Sequence, residues 1–199
     1  YIIKNRDQTD GWAAFHDNMD TTNPWNDRHL RLDTSAAVSG ALHVSGAAPT
    51  SSIIYLDSDH IVNASSEDYI CYAWSEVEGF SKFGSYTGNA NVDGPFIYLG
   101  FRPSFVLAKS SSNSGTRWML IDSVRHPYND SDASALSPNS TETESTIKPT
   151  NAAVDLLSNG FKIRSDSSDW NASGGTYIYA AFAEHPFQGD DGATQARAR

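Results

Sequence analysis

The chain writes one pattern twice. "DYICYAWSE" at 68–76 and "TYIYAAFAE" at 176–184 align with Tyr69 on Tyr177, Ile70 on Ile178, Ala73 on Ala181, Trp74 on Phe182 and Glu76 on Glu184, 108 residues apart. The match runs back to "NAS" at 63–65 and at 171–173. Upstream, "PTSSIIYLDSD" from Pro49 corresponds to "PTNAAVDLLSNG" from Pro149, and "IIKNRDQTDGWAAFHD" corresponds to "VLAKSSSNSGTRWMLID", which sets Lys4 on Lys109 and Asp17 on Asp122, 105 residues apart. Three separated matches in one order, with offsets that differ by loop-sized amounts, define an internal repeat of about 105 residues. The second copy is preceded by "DGPFIYLGFRPSFV" at 93–106, whose counterpart would fall before Tyr1. The numbered chain is therefore expected to begin inside its first repeat. The expected division is a first repeat over 1–88, a second over 89–187, and a flexible tail over 188–199, where "QGDDGATQARAR" has no apolar periodicity.

Each repeat reads as strand. Short runs such as "FIYLGF", "SFVLAK", "RWMLID", "GFKIRS" and "TYIYAAFAE" are rich in β-branched and aromatic residues and are bounded by Gly, Asn, Asp and Ser. In "FIYLGF" the alternation sends Ile97, Leu99 and Phe101 to the core and Phe96, Tyr98 and Gly100 outward. "TNAAVDLLSNGFKI" allows one helical turn capped by Asn151, and no segment offers three turns of helical period. The expectation is an all-β fold: an antiparallel β-sandwich or barrel-like body built from two internally repeated halves.

Charge narrows the partners. With 24 acidic and 14 basic residues the formal net charge is -10, which opposes a nucleic-acid backbone or an anionic membrane surface. No apolar stretch approaches the roughly 20 residues that span a bilayer. The single cysteine, Cys71, excludes an intramolecular disulfide; set among Tyr69, Ile70, Tyr72 and Trp74, it reads as a buried structural thiol.

Between the copies, "EVEGFSKFGSYTGNANVDGP" reads as a turning connector. Gly79, Gly84, Gly88 and Gly94 bend it, while Phe80, Phe83 and Tyr86 pin it to the body and fuse the halves. Two polar stretches, 19–40 and 129–150, read as long exposed loops.

The chemistry-bearing candidates are weak. Asn129, Asp130 and Asp132 have oxygen-ligand spacing but lack the glycine and closing glutamate of a calcium loop, so an Asx-rich turn is the better reading. The six histidines form no HExxH or other close ligand set, and no nucleophile elbow or phosphate loop is present. Glu76 and Glu184 resemble a glycosidase pair only by being paired. Duplication explains them more simply, each closing the last strand of its copy and binding backbone amides or an arginine. No catalytic residue, metal ligand or cofactor is assigned. Trp25 in "NPWNDRH", Trp170 with Asn171 in "SDWNAS", and Tyr128 in "HPYND" join an aromatic ring to amides and carboxylates, the mixture that stacks on a sugar and binds its hydroxyls. The competing reading has each tryptophan cover a loop base.

The longest ordered motif set, "CYAWSEVEGFSKFGSYTGNANVDGPFIYLGFRPSFVLAKSSSNSGTRWMLIDSVRHPYN" followed by "LLSNGFKIRS" and "NASGGTYIYAAFAEHPF", resembles a domain of uncharacterised function recurrent near the C-termini of bacteriophage tail and tail-fibre proteins. The resemblance covers Lys4 to Phe187. It implies a virion location in a tail or fibre, exposed outside the host cell, and a structural or adhesive role rather than an enzymatic one. It also implies assembly with other virion tail proteins and with further copies of itself, as a homotrimer by the usual symmetry of phage fibres. A host-surface glycan is the ligand such a role would call on. A polysaccharide-degrading tail module and a free carbohydrate-binding domain are the alternatives.

Overall fold

A computed structural model describes residues 1–19, 26–45, 47–129, 134–144 and 154–185. They form an all-β fold of antiparallel sheets. The chain opens with β1 (Ile2–Asn5), β2 (Ala13–Ala14), β3 (Asn26–Arg31), β4 (Ser39–Ser45) and β5 (Tyr69–Tyr72), which make one sheet in the order β4-β3-β2-β1-β5. Next come β6 (Ser81–Thr87), β7 (Phe96–Tyr98), β8 (Pro103–Ser110), β9 (Met119–Asp122), β10 (Val154–Leu157), β11 (Gly160–Ile163), the helical turn α1 (Ser168–Asn171) and β12 (Thr176–Ala183). These strands make a four-stranded sheet, β6-β12-β8-β9, and a three-stranded one, β10-β11-β7. Among the described residues no sheet closes into a barrel, and no helix is long and apolar enough to cross a membrane.

The four-stranded sheet is apolar on both faces, and alternation along β12 shows why. Tyr177, Tyr179, Ala181 and Ala183 join Val106, Ala108, Phe161, Ile163 and Trp170 in one core cluster. Ile178, between them, joins Ile3, Phe15, Leu30 and Trp118 in a second, with Leu107 of β8 packed against it. "FIYLGF" behaves as its alternation predicts: Ile97, Leu99 and Phe101 are buried, Phe96 and Tyr98 exposed.

Four expectations need correction. Residues 81–87 form a strand, not a turning connector: β6 pairs with β12 over seven positions, from Ser81↔Phe182 to Thr87↔Thr176. Its Gly84 lets the Tyr179 ring approach, since a Cβ there would lie 2.6 Å from the Tyr179 hydroxyl. Tyr86 is buried and stacked on Tyr177 at 5.0 Å, while Phe80 and Phe83 are half-buried against Phe182. β6, which ends just before the expected boundary at residue 88, belongs to the sheet of β12. The polar stretch 19–40 holds β3, because His29 and Leu30 are buried within it, and the start of β4. Residues 154–157 are strand rather than helical turn, and the turn sits instead at "SDWN", capped by Ser167, whose hydroxyl accepts from Asp169 N–H at 3.3 Å. Cys71 is exposed, because β5 is a sheet edge. Asp130, Asp132 and the tail beyond 187 lie outside the described residues. Asn129 is described, and its side chain pairs with both backbone groups of Leu156 at 2.8 and 3.0 Å.

The matched sequence segments make matched contacts. The β1–β5 ladder sets Lys4 opposite Ile70, and the β8–β12 ladder sets their sequence counterparts, Lys109 and Ile178, opposite each other. Tyr69 donates its hydroxyl to His60 O at 2.7 Å and accepts from Ala64 N–H at 2.9 Å. Tyr177 donates to Ser168 O at 2.5 Å and accepts from Ala172 N–H at 2.8 Å. Each tyrosine thereby locks a turn closed by the residue nine positions before it. Asp59 caps the first turn through Ile61 N–H, as Ser167 caps the second.

Candidate functional site

A cleft of about 830 Å³ opens between the sheet of β1 and the sheet of β12. Ile2, Ala14 and Phe15 line it on one side, with Trp74 and Glu76 just past β5. Phe83, Phe105, Leu107, Ile178 and Phe182 line it on the other. Three rings of the second wall meet edge to face, Phe83 on Phe182 at 5.8 Å and Phe105 on Phe182 at 5.7 Å, which fixes that wall as a rigid apolar surface. Trp74 of the cleft wall stacks on Tyr72 with ring centroids 6.4 Å apart, yet Tyr72 and Trp74 stay 45% and 50% exposed. Ile53, Tyr55 and Ile70 are also exposed. Tyr72 and Trp74, the aromatic rings the fold leaves stacked and open, were read only as strand residues in the sequence. That β5, which holds Tyr72 and ends just before Trp74, is an edge strand was the missing information.

Among the described residues, His16 is the one histidine on the cleft wall. Its Nδ1 accepts from Asn18 N–H at 3.0 Å and its Nε2 lies 3.1 Å from Tyr179 O. The neutral Nε2–H tautomer satisfies both contacts, donating from Nε2 and accepting at Nδ1. Burial, only partly offset by the Tyr179 carbonyl, pulls its pKa down to about 4. The ring is therefore a neutral packing element at physiological pH. Glu76 sits at the rim, where its charge adds to burial in raising the Tyr179 phenol to about 12. Glu184 instead meets Arg102 at 2.8 Å on the surface. The two glutamates thus do different work, and of the expected partners, backbone amides or an arginine, Glu184 has the arginine.

The sugar-binding candidates separate. Trp170 and Asn171 are fully buried, so neither has a face to offer a glycan. Trp170 is a core ring. Asn171 ties three segments together, donating Nδ2–H to Asn89 Oδ1, Asn91 O and Ser165 O at 2.8–2.9 Å and accepting from Asn89 N–H at 2.8 Å. The Asn and Asp that made "SDWNAS" look like a surface site are spent inside the fold, Asn171 on the 89–91 and 165 segments and Asp169 on Arg117, whose backbone N–H and Nε–H it accepts at 2.7 and 3.1 Å. Tyr128 is 83% exposed. Trp25 lies outside the described residues.

Lys109 is buried and donates to Ser110 O and Thr116 Oγ1, both at 2.8 Å. Burial lowers its pKa to about 8, against the pull of nearby Asp169. Its counterpart Lys4 makes the same contact to the next carbonyl, Asn5 O at 2.6 Å, but also reaches out to Gln8 O. Both lysines secure the end of a strand. Among the described residues, no three His, Cys, Asp or Glu side chains are placed to hold a metal ion.

Residues 1–186 match the domain of unknown function DUF7483, and the chain belongs to that family. No curated protein and no solved structure matches it.

Proposed function

We propose that this DUF7483 domain is a non-enzymatic component of a phage tail fibre or related appendage, built from two repeated β halves and assembled as a homotrimer. The observation that carries the virion reading is the ordered motif set from Cys71 to Phe187, with its resemblance to tail and tail-fibre domains. The doubled tyrosine-locked turn and the matching ladders of β1–β5 and β8–β12 support the two-half description. The buried polar side chains fit a scaffold. Asn171, Lys109 and Tyr177 all spend their hydrogen bonds on backbone or neighbouring side chains, and a domain so tied holds its loops in fixed positions.

Host-surface attachment falls to exposed aromatic rings on that scaffold, and Tyr128 is the anchor among the described candidates. Excess purified domain, added to the bacterium that the encoding phage infects, is expected to reduce particle adsorption. Tyr128→Ala is expected to weaken this competition about tenfold while leaving the denaturant midpoint in place. Equal competition by both proteins would remove Tyr128 from the contact. No competition by the wild type would confine the domain to a structural role.

A further inference from the structure

The geometry points to the free edge of β5 as a strand-addition site for a partner polypeptide, one that is extended, carries small residues at alternate positions and is basic at its ends. The proposal does not depend on the virion reading.

Its basis is the covering of the equivalent edge inside the same chain. β12 has a strand on each side, with β8 bonded to one edge and β6 to the other. β5 has β1 on the side that corresponds to β8, and among the described residues nothing pairs with its other side. Backbone directions agree as well. Arg6 N–H donates to Asp68 O at 2.8 Å, as Ser111 N–H donates to Thr176 O at 2.9 Å. Bonded pairs alternate along an antiparallel ladder, so Tyr69 and Cys71 aim their N–H and C=O groups away from β1. The matching residues Tyr177 and Tyr179 aim theirs at β6, whose ladder is bounded by Ala183 N–H to Phe80 O at 2.7 Å and Gly88 N–H to Gly175 O at 2.8 Å. Strand order in the first copy also stops at Tyr72, whereas β12 continues to Ala183. A docked strand would extend β5 into Ala73 and Trp74, as β6 supports the matching part of β12.

Side chains state what the partner must bring. On the cleft face β12 and β6 alternate large and small: Ile178 opposite Ser85, Ala180 opposite Phe83, Phe182 opposite Ser81. On β5 and just past it the matching residues, Ile70 and Tyr72 on the strand and Trp74 beyond it, are all large and exposed, so the incoming strand must be small at all three opposing positions. Acidic residues flank β5 on both sides, Glu67 and Asp68 before it and Glu76 and Glu78 after it, which favours basic ends.

The probe is a synthetic peptide, Lys-Ser-Lys-Ser-Gly-Ser-Tyr-Thr-Lys, which copies residues 81–87 with serine in place of Phe83 and adds a lysine at each end. Saturable binding to the intact chain is expected by calorimetry, with backbone shifts at residues 69–74 by NMR. N-methylation of the peptide amides that match Lys82, Gly84 and Tyr86 faces β5 and should abolish binding. N-methylation at the positions of Phe83 and Ser85 faces away and should leave it. Cys71→Pro removes an N–H that β1 does not use and should weaken binding about tenfold or more without moving the denaturation midpoint. Absence of saturable binding overturns the proposal, as does binding indifferent to which amides are methylated. Self-association of the wild-type chain that Cys71→Pro abolishes would also overturn it, by assigning the edge to a second copy.

Discussion

Trp170→Ala is expected to lower the free energy of unfolding by about 3 to 5 kcal/mol. The indole is fully buried in the cluster that joins the four-stranded and three-stranded sheets, so truncation removes its contacts and leaves a cavity the rigid strands cannot close. The loss would spread, because Trp170 O accepts the buried Tyr86 hydroxyl at 2.9 Å and Tyr86 stacks on Tyr177, which locks α1. Against a typical total of about 5 to 15 kcal/mol, such a loss puts the folded state at risk. Trp170→Phe should cost less than half as much. Among the described residues Trp170 Nε1 has no hydrogen-bond partner, so the substitution removes ring area but no bond. Denaturant midpoints of the two variants give the comparison. A Trp170→Ala protein within about 0.5 kcal/mol of wild type would mean that the indole lies at the surface.

Acid should destabilise the protein through His16 by up to about 3 kcal/mol. The unfolded imidazole titrates near its ordinary value of 6.5, while the folded one is held down to about 4 by burial. Between those values the unfolded chain binds the extra proton and the native chain does not, so the stabilisation present above pH 6.5 is lost as pH falls through 4. Protonation would also turn Nδ1 from acceptor to donor, facing Asn18 N–H. Stabilities of wild type and His16→Gln, measured by denaturation from pH 7 to pH 4, should converge as the pH drops. A difference that stays constant over that range would show that His16 is charged or exposed in the fold.

Period-two patterning made much of the framework readable. It placed Ile97, Leu99 and Phe101 in the core and marked β12 as a strand, while the copied "NAS" and tyrosine pairs were readable only as a repeat and not as the two turns they lock. Pairing partners were not readable in the same way. "FSKFGSYT" carries glycine and serine because Gly84 must admit the Tyr179 ring and Ser81 and Ser85 must face Phe182 and Ile178. Read without those partners, the same residues look like a turning connector. Cys71 shows the converse. Its neighbours are those of a buried strand, and its exposure follows from an edge position set by topology.

At the candidate site, local composition misled for a physical reason. Asn and Asp around an aromatic ring serve a sugar and a capped backbone turn equally well, and only the burial of Trp170 and the four hydrogen bonds of Asn171 separate the two. The cleft was invisible for another reason. Its two walls, Trp74 and Phe182 among them, come from segments 108 residues apart that the repeat aligns but does not say will face one another.

Under the proposed function this domain belongs to the outer appendage of a phage particle. Particles of a phage whose genome carries this sequence, labelled with gold-tagged antibodies raised against residues 1–185 and imaged by electron microscopy, decide it. The expected result is label along or at the tip of the tail fibres, with three copies per fibre in averaged density. Particles that carry no label and no peptide of this chain by mass spectrometry, while infected cells contain the protein in soluble form, would contradict it.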